Sequence, residues 1–141
     1  MATYIGLVVG CSNLPPTYTV SGRVAFGDGA PVDSGTIEFR SVEHGLNARG
    51  KISPDGAYEL TTFRPGDGAV AGEHQVIVVQ HLVVETARPV QHGGTGHAHK
   101  PHRVVDRHYA SYQDTPLACS VSSQADNVIN LEVESPPKET P

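Results

Sequence analysis

Four histidines fall within the eleven residues from His92 to His102, HGGTGHAHKPH, with glycines between them. Neutral imidazole is a good ligand for Zn²⁺, Cu²⁺ or Ni²⁺. His97, His99 and His102 are close enough in sequence to share one ion if the chain folds around it. No carboxylate or cysteine stands with these three, and a glycine-rich segment must give up conformational entropy to close on a metal. The expectation is a solvated loop and no cofactor, with Zn or Cu bound by His97, His99 and His102 as the alternative. The eight histidines of the chain would also carry its acidic net charge toward neutrality in a mildly acidic medium, because imidazole titrates at about pH 6.5.

Other residues with chemical potential read as architecture. Gly66, Asp67, Gly68 and Gly72 sit in GDGAVAG, where the glycines can supply positive φ and the aspartate can accept hydrogen bonds from its own loop. A cation site built on Asp55 and Asp67 would need more oxygen ligands than this stretch offers. No Gly-x-Ser-x-Gly elbow occurs, and Cys119 alternates with Leu117 and Val121 as an inward, small apolar residue.

The elements that must position these residues are strands. The chain has 141 residues, room for one core, and its fifteen glycines and eleven prolines leave little space for long helices. In TYTVSGRVAF, Tyr18, Val20, Val24 and Phe26 share one face. In TIEFRSV, Ile37 and Phe39 point inward while Glu38 and Arg40 point outward. NARGKIS is a shorter strand, Pro54-Asp55-Gly56 makes a hairpin turn, and AYELTTF alternates through Tyr58 and Leu60. HQVIVVQHLVV is apolar on both faces, as a central strand is. From about Glu85 to Pro116 the pattern dissolves into a long excursion, in which only RVVDRHYASY could form a helical turn. LACSV and NVINLEV resume the strands. The expectation is an all-β chain of seven strands in an Ig-like, two-sheet sandwich, with one long loop before the last two strands.

Charge and hydropathy exclude some functions. A formal charge of −5 without a Lys/Arg cluster does not suit a phosphate backbone, so nucleic acid is not an expected partner. No apolar run reaches the roughly 18 residues that span a bilayer. The N-terminal MATYIGLVVGC, however, ends in Leu7-Val8-Val9-Gly10-Cys11, which resembles a bacterial lipobox. That resemblance implies a lipid on the Cys11 thiol, a membrane-anchored chain and a cell-envelope location. The ten-residue leader has no Lys or Arg in front of it, whereas secretory leaders carry a basic n-region. The expectation therefore goes with a start upstream of Met1. A free or first-strand segment, and a disulfide to Cys119, remain open alternatives for Cys11.

SGRVAFGDGAPVDSGTIEF, ARGKISPDGAYELTTFRPGDGAVAGEHQVIVV and YQDTPL, in that order, are similar to small bacterial lipoproteins of the carboxypeptidase regulatory-like group. The similarity runs from about Thr17 to Glu134, with His74 where that group usually has a tyrosine. It implies a prealbumin-like (transthyretin-like) sandwich and assigns no reaction. Two enzymes of related fold fit poorly. Hydroxyisourate hydrolases end in Tyr-Arg-Gly-Ser, and this chain ends PPKETP. Intradiol dioxygenases place iron-binding tyrosines before a His-x-His pair, whereas Tyr109 and Tyr112 follow His97-Ala98-His99.

The resulting expectation has residues 1–11 as a truncated lipoprotein leader, 12–16 as a linker, 17–134 as the domain and 135–141 as a disordered tail. The function expected is non-enzymatic: a module that binds or spaces a protein or glycan at the envelope. The alternative is a metal-binding envelope protein that uses the 92–102 loop.

Overall fold

Alternating side chains sort themselves between a shared interior and the surface. The computed structural model describes residues 13–81, 102–124 and 126–138, and these form an all-β chain. Its strands are β1 (Thr17–Tyr18), β2 (Val20–Phe26), β3 (Thr36–Ser41), β4 (Asn47–Lys51), β5 (Ala57–Glu59), β6 (Ala69–Val70), β7 (Gly72–Val79), β8 (Ala118–Val121), β9 (Asn127–Val128) and β10 (Leu131–Val133). A 3₁₀ turn, Arg107–Ala110, precedes β8.

One four-stranded sheet runs β4-β3-β7-β8, antiparallel throughout. A second is centred on β2, which pairs antiparallel with β5 and parallel with both β9 and β10. The third sheet is the short pair β1-β6. Val20, Val24, Phe26, Tyr58, Leu60 and Val133 from the β2 sheet meet Ile37, Phe39, Val76, Val78 and Val121 from the β3 sheet in one core. Burying each such side chain contributes roughly 1.5–3 kcal/mol.

Among the described residues ten strands in three sheets stand where the pattern predicts seven. The extra breaks have local causes. Between β9 and β10 the Asn130 side-chain oxygen accepts from the Arg23 N–H at 3.0 Å, taking the place of a backbone carbonyl in the ladder. Between β6 and β7 the chain turns at Gly72, whose φ of 112° is open to glycine and strained for other residues.

The two large layers are joined along both edges. On one, Arg49 and Thr61 exchange backbone hydrogen bonds of 2.9 Å. On the other, the 103–106 segment fills the gap. Gln80 donates to the Arg103 carbonyl and accepts from the Val105 N–H, each at 2.9 Å, while the Asp106 N–H reaches the Glu134 carbonyl at 2.9 Å. Val105 and Tyr109 from this segment are buried in the core. Much of the expected 85–116 loop is thus part of the packed body from His102 onward, because those two apolar side chains have an open sandwich edge to fill. The segment of the excursion numbered 82–101 lies outside the described residues.

Strand directions give the molecule two distinct ends. β1 enters from one end, which also carries the 42–46 turn, the 62–68 loop and the 122–126 connection. The opposite end carries the 27–35 turn, the 52–56 hairpin, Gln80, His81, His102 and the residues after β10.

Candidate functional site

The Asp67 loop is closed by its own aspartate. Asp67 Oδ1 accepts from the Thr62 N–H at 2.7 Å, and Oδ2 accepts from Phe63 at 3.0 Å and Arg64 at 2.9 Å. Partial burial pushes this carboxyl up, but the three N–H donors and the Thr17 hydroxyl outweigh it and hold Asp67 below the ordinary carboxylate range. Gly66, Gly68 and Gly72 have φ of 71°, 84° and 112°. At Gly68 a Cβ would lie 1.7 Å from the Tyr18 carbonyl oxygen, so the loop seats directly on β1. These four residues build a turn whose carboxylate is occupied by backbone.

Of the three candidate metal ligands, His97 and His99 lie outside the described residues, as does the candidate lipidation site Cys11. His102 is exposed, and its Nδ1 lies 2.8 Å from Asp33 Oδ2. Among the described residues no three His, Cys, Asp or Glu side chains come together as a metal site. Next to His102, Arg103 stacks 4.1 Å over the Phe26 ring, donates from Nη1 to Asp28 at 2.6 Å and from Nε to the Ser135 hydroxyl at 2.9 Å. The Ala30 N–H and then the Arg103 guanidinium hold Asp28 below its usual range. Ser135, expected in the tail, is thereby tied to the body.

The two tyrosines of the excursion have separate structural partners. Tyr109 is 5 % exposed and packs in the core. Tyr112 donates to Glu38 Oε1 at 2.7 Å, and Arg40 lies 3.7 Å over its ring. Glu38 also pairs with Arg49. Burial and then the Glu38 bond push the Tyr112 hydroxyl above its ordinary value, the direction opposite to what a metal-bound phenolate needs.

Across β3, β7 and β8 the residues Ser41, His74 and Cys119 occupy one transverse row. His74 is 1 % exposed, and its Nδ1–H donates to the Gly72 carbonyl at 2.9 Å. The Ser41 hydroxyl accepts from the His44 N–H at 3.0 Å. Cys119 packs against the core, and burial pushes its thiol up to about 12. A nucleophilic cysteine requires the opposite shift.

Two open grooves flank these features. One of about 450 Å³ is lined by Thr17, Tyr18, Thr19 and Asp126 at the β1 end. Another of about 450 Å³ lies between Val104, Arg107, Pro136 and Pro137 at the opposite end. No protein-family model, curated protein or solved structure matches the chain.

Sequence reading missed the Asp28–Arg103–Ser135 group and the Tyr112–Glu38–Arg40–Arg49 group. A partial signal existed for the first. Asp-Gly-Ala occurs at 28–30, 55–57 and 67–69, and in each the glycine has φ of 83–87°. Asp28 and Asp55 each accept from the N–H two residues on, at 3.1 Å. That recurrence marks Asp28 as a turn builder, though not as the partner of Arg103.

Proposed function

We propose that the chain is a non-catalytic, lipid-anchored β-sandwich module of the cell envelope, one that holds or spaces a protein or glycan partner. The observation that carries this reading is the separation of the two ends. The chain leading back to Cys11 joins at the end bearing the Asp67 loop, and both flanks of the histidine-rich excursion, His81 and His102, lie at the other. A module anchored through Cys11 would carry His81 and His102 at the end away from its anchor. The side chains best suited to chemistry also have structural duties: Asp67 with three backbone donors, Tyr112 with Glu38, and Cys119 packed against the core.

The strands support the finer fold reading. Joining β1 to β2, β6 to β7 and β9 to β10 across their short breaks yields seven strands, the number in the carboxypeptidase regulatory-like, prealbumin-like group that the sequence resembles. Intact-mass measurement of the membrane-extracted native protein tests the function. A chain starting at acylated Cys11 is expected, and an unmodified residue 11 would sink the anchor. Crosslinking in the native envelope would then identify the partner class.

A further inference from the structure

The end at which the chain from Cys11 joins also carries exposed apolar side chains. Among the described residues the exposed large hydrophobic side chains are Leu14 (59 %), Val42 (67 %), Phe63 (38 %), Val104 and Val128. Leu14 precedes β1, Val42 begins the β3–β4 turn, and Phe63 lies in the Asp67 loop, so three of the five are on segments that project from this one end. None of these three positions is in the core cluster. Solvent-facing apolar side chains are ordinary when scattered, but grouped on loop tips they mark a surface that meets something apolar.

We infer that this end rests on the lipid bilayer, with Phe63 and Val42 dipping into the interface beside the anchor. The inference rests on the anchored reading above. The length of the tether supports it. Five residues lie between Cys11 and Thr17, and the six steps they make, at about 3.3–3.6 Å each, reach at most roughly 20 Å. A lipid on Cys11 therefore keeps β1, and the end from which it enters, close to the membrane surface. The Asp67 carboxylate holds the N–H groups of both Phe63 and Arg64, so the loop that carries Phe63 is shaped before it meets lipid. Charge defines the mode of contact. Among the described residues Glu43, Asp67, Glu73 and Asp126 lie at this end with Arg64 and His44, so acidic groups outnumber basic ones there. The contact is then apolar and not driven by anionic headgroups.

The chain contains no tryptophan, so single-tryptophan variants report depth cleanly. In the full chain carrying Cys119→Ser, residue Cys11 is coupled to a maleimide lipid in phosphatidylcholine vesicles with brominated acyl chains. Phe63→Trp and, separately, Val42→Trp are compared with Val104→Trp at the opposite end. Quenching at 63 and 42 is expected to exceed that at 104 at least threefold and to survive high salt. Equal quenching at all three, quenching at none, or a requirement for anionic lipid would overturn the inference, the second outcome leaving a protein partner as the cover for this end. Because the tether is chemical, the result does not depend on whether Cys11 is acylated in the cell, which the intact-mass experiment decides separately.

Discussion

The Tyr112 hydroxyl donates to Glu38 Oε1 at 2.7 Å, joining residues 74 positions apart in the chain. Glu38 stands on the outer face of β3 between Arg49 of β4 and Ile77 of β7, and Arg40 stacks on the same tyrosine at 3.7 Å. One phenol thus clamps the returning arm of the excursion to β3 and, through Glu38, to Arg49 of β4. Tyr112→Phe keeps the ring and its stacking and removes only the hydroxyl. A hydrogen bond to a charged acceptor is worth about 1.5–3 kcal/mol, and partial exposure places the expected loss near the lower figure. Urea unfolding should show that loss, and hydrogen exchange should rise between 107 and 117 before it rises in β3. Unchanged exchange in that segment would refute the clamp.

Asp67 should set the acid limit of the β1 end. Its carboxyl lies below the ordinary range when folded, so the folded state binds this proton less readily than the unfolded chain. The stabilisation is present above the unfolded value of about 3.9 and is lost as pH falls through the lower, folded value. Asp67→Asn keeps one acceptor oxygen and loses the charge. The variant is expected to be less stable at pH 7 by about 1–3 kcal/mol and to show a flatter decline below pH 4. A melting-temperature series from pH 7 to 2.5 reads both effects, and parallel curves would count against the role.

Much of the fold was legible because one physical rule generates it. Ile37 and Phe39 are fully buried while Arg40 is exposed, as the alternation demands. The doubly apolar HQVIVV became β7, which lies between β3 and β8. The glycines of GDGAVAG have the positive φ that the turn reading required. What escaped was non-local. Nothing near Tyr112 announces Glu38, and nothing near His102 announces Asp33, 69 positions away. The break at Asn130 was hidden for another reason: a side-chain oxygen stood in for a backbone one, and strand patterns count only faces.

Glycine positions offer a sharp contrast. A Cβ at Gly22 would lie 1.9 Å from the Ile129 carbonyl oxygen, where β2 meets the residues between β9 and β10, and backbone cannot swing aside there. A Cβ at Gly29 would meet nothing within 4 Å, although its φ of 87° still strains other residues. Gly29→Ala should therefore cost about 1–3 kcal/mol. Gly22→Ala should cost clearly more, enough to unseat the parallel pairing. Thermal denaturation orders the two variants, and a Gly29→Ala protein less stable than Gly22→Ala would contradict the packing described.

Metal should be immaterial to the folded body. His102 is paired with Asp33, and no three ligand side chains converge among the described residues. Calorimetric titration with Zn²⁺ is expected to give the same heats for the native chain and for a variant with His97, His99 and His102 all replaced by alanine. A stoichiometric heat lost in the variant would restore the metal-binding alternative.

His74 should make stability fall on mild acidification. Burial, set against the Gly72 carbonyl and Glu73 and assisted by His44, lowers the pKa of this imidazole from the ordinary 6.5. Its Nδ1–H already occupies the Gly72 carbonyl, and protonation would add a second buried N–H at Nε2 beside Phe39, whose ring centroid is 6.0 Å away. Between the depressed folded value and about 6.5 the unfolded chain binds more protons, so stability rises with pH across that window. It is complete above about 6.5 and is lost as pH falls toward the folded value. His74→Phe fills the site and cannot titrate. It forfeits one hydrogen bond, worth about 1 kcal/mol, and should show a shallower pH dependence between 7 and 5. His44→Ala, at an exposed position on the neighbouring turn, should retain most of the native slope. If His74→Phe kept the native slope, the buried imidazole would be only a packing residue.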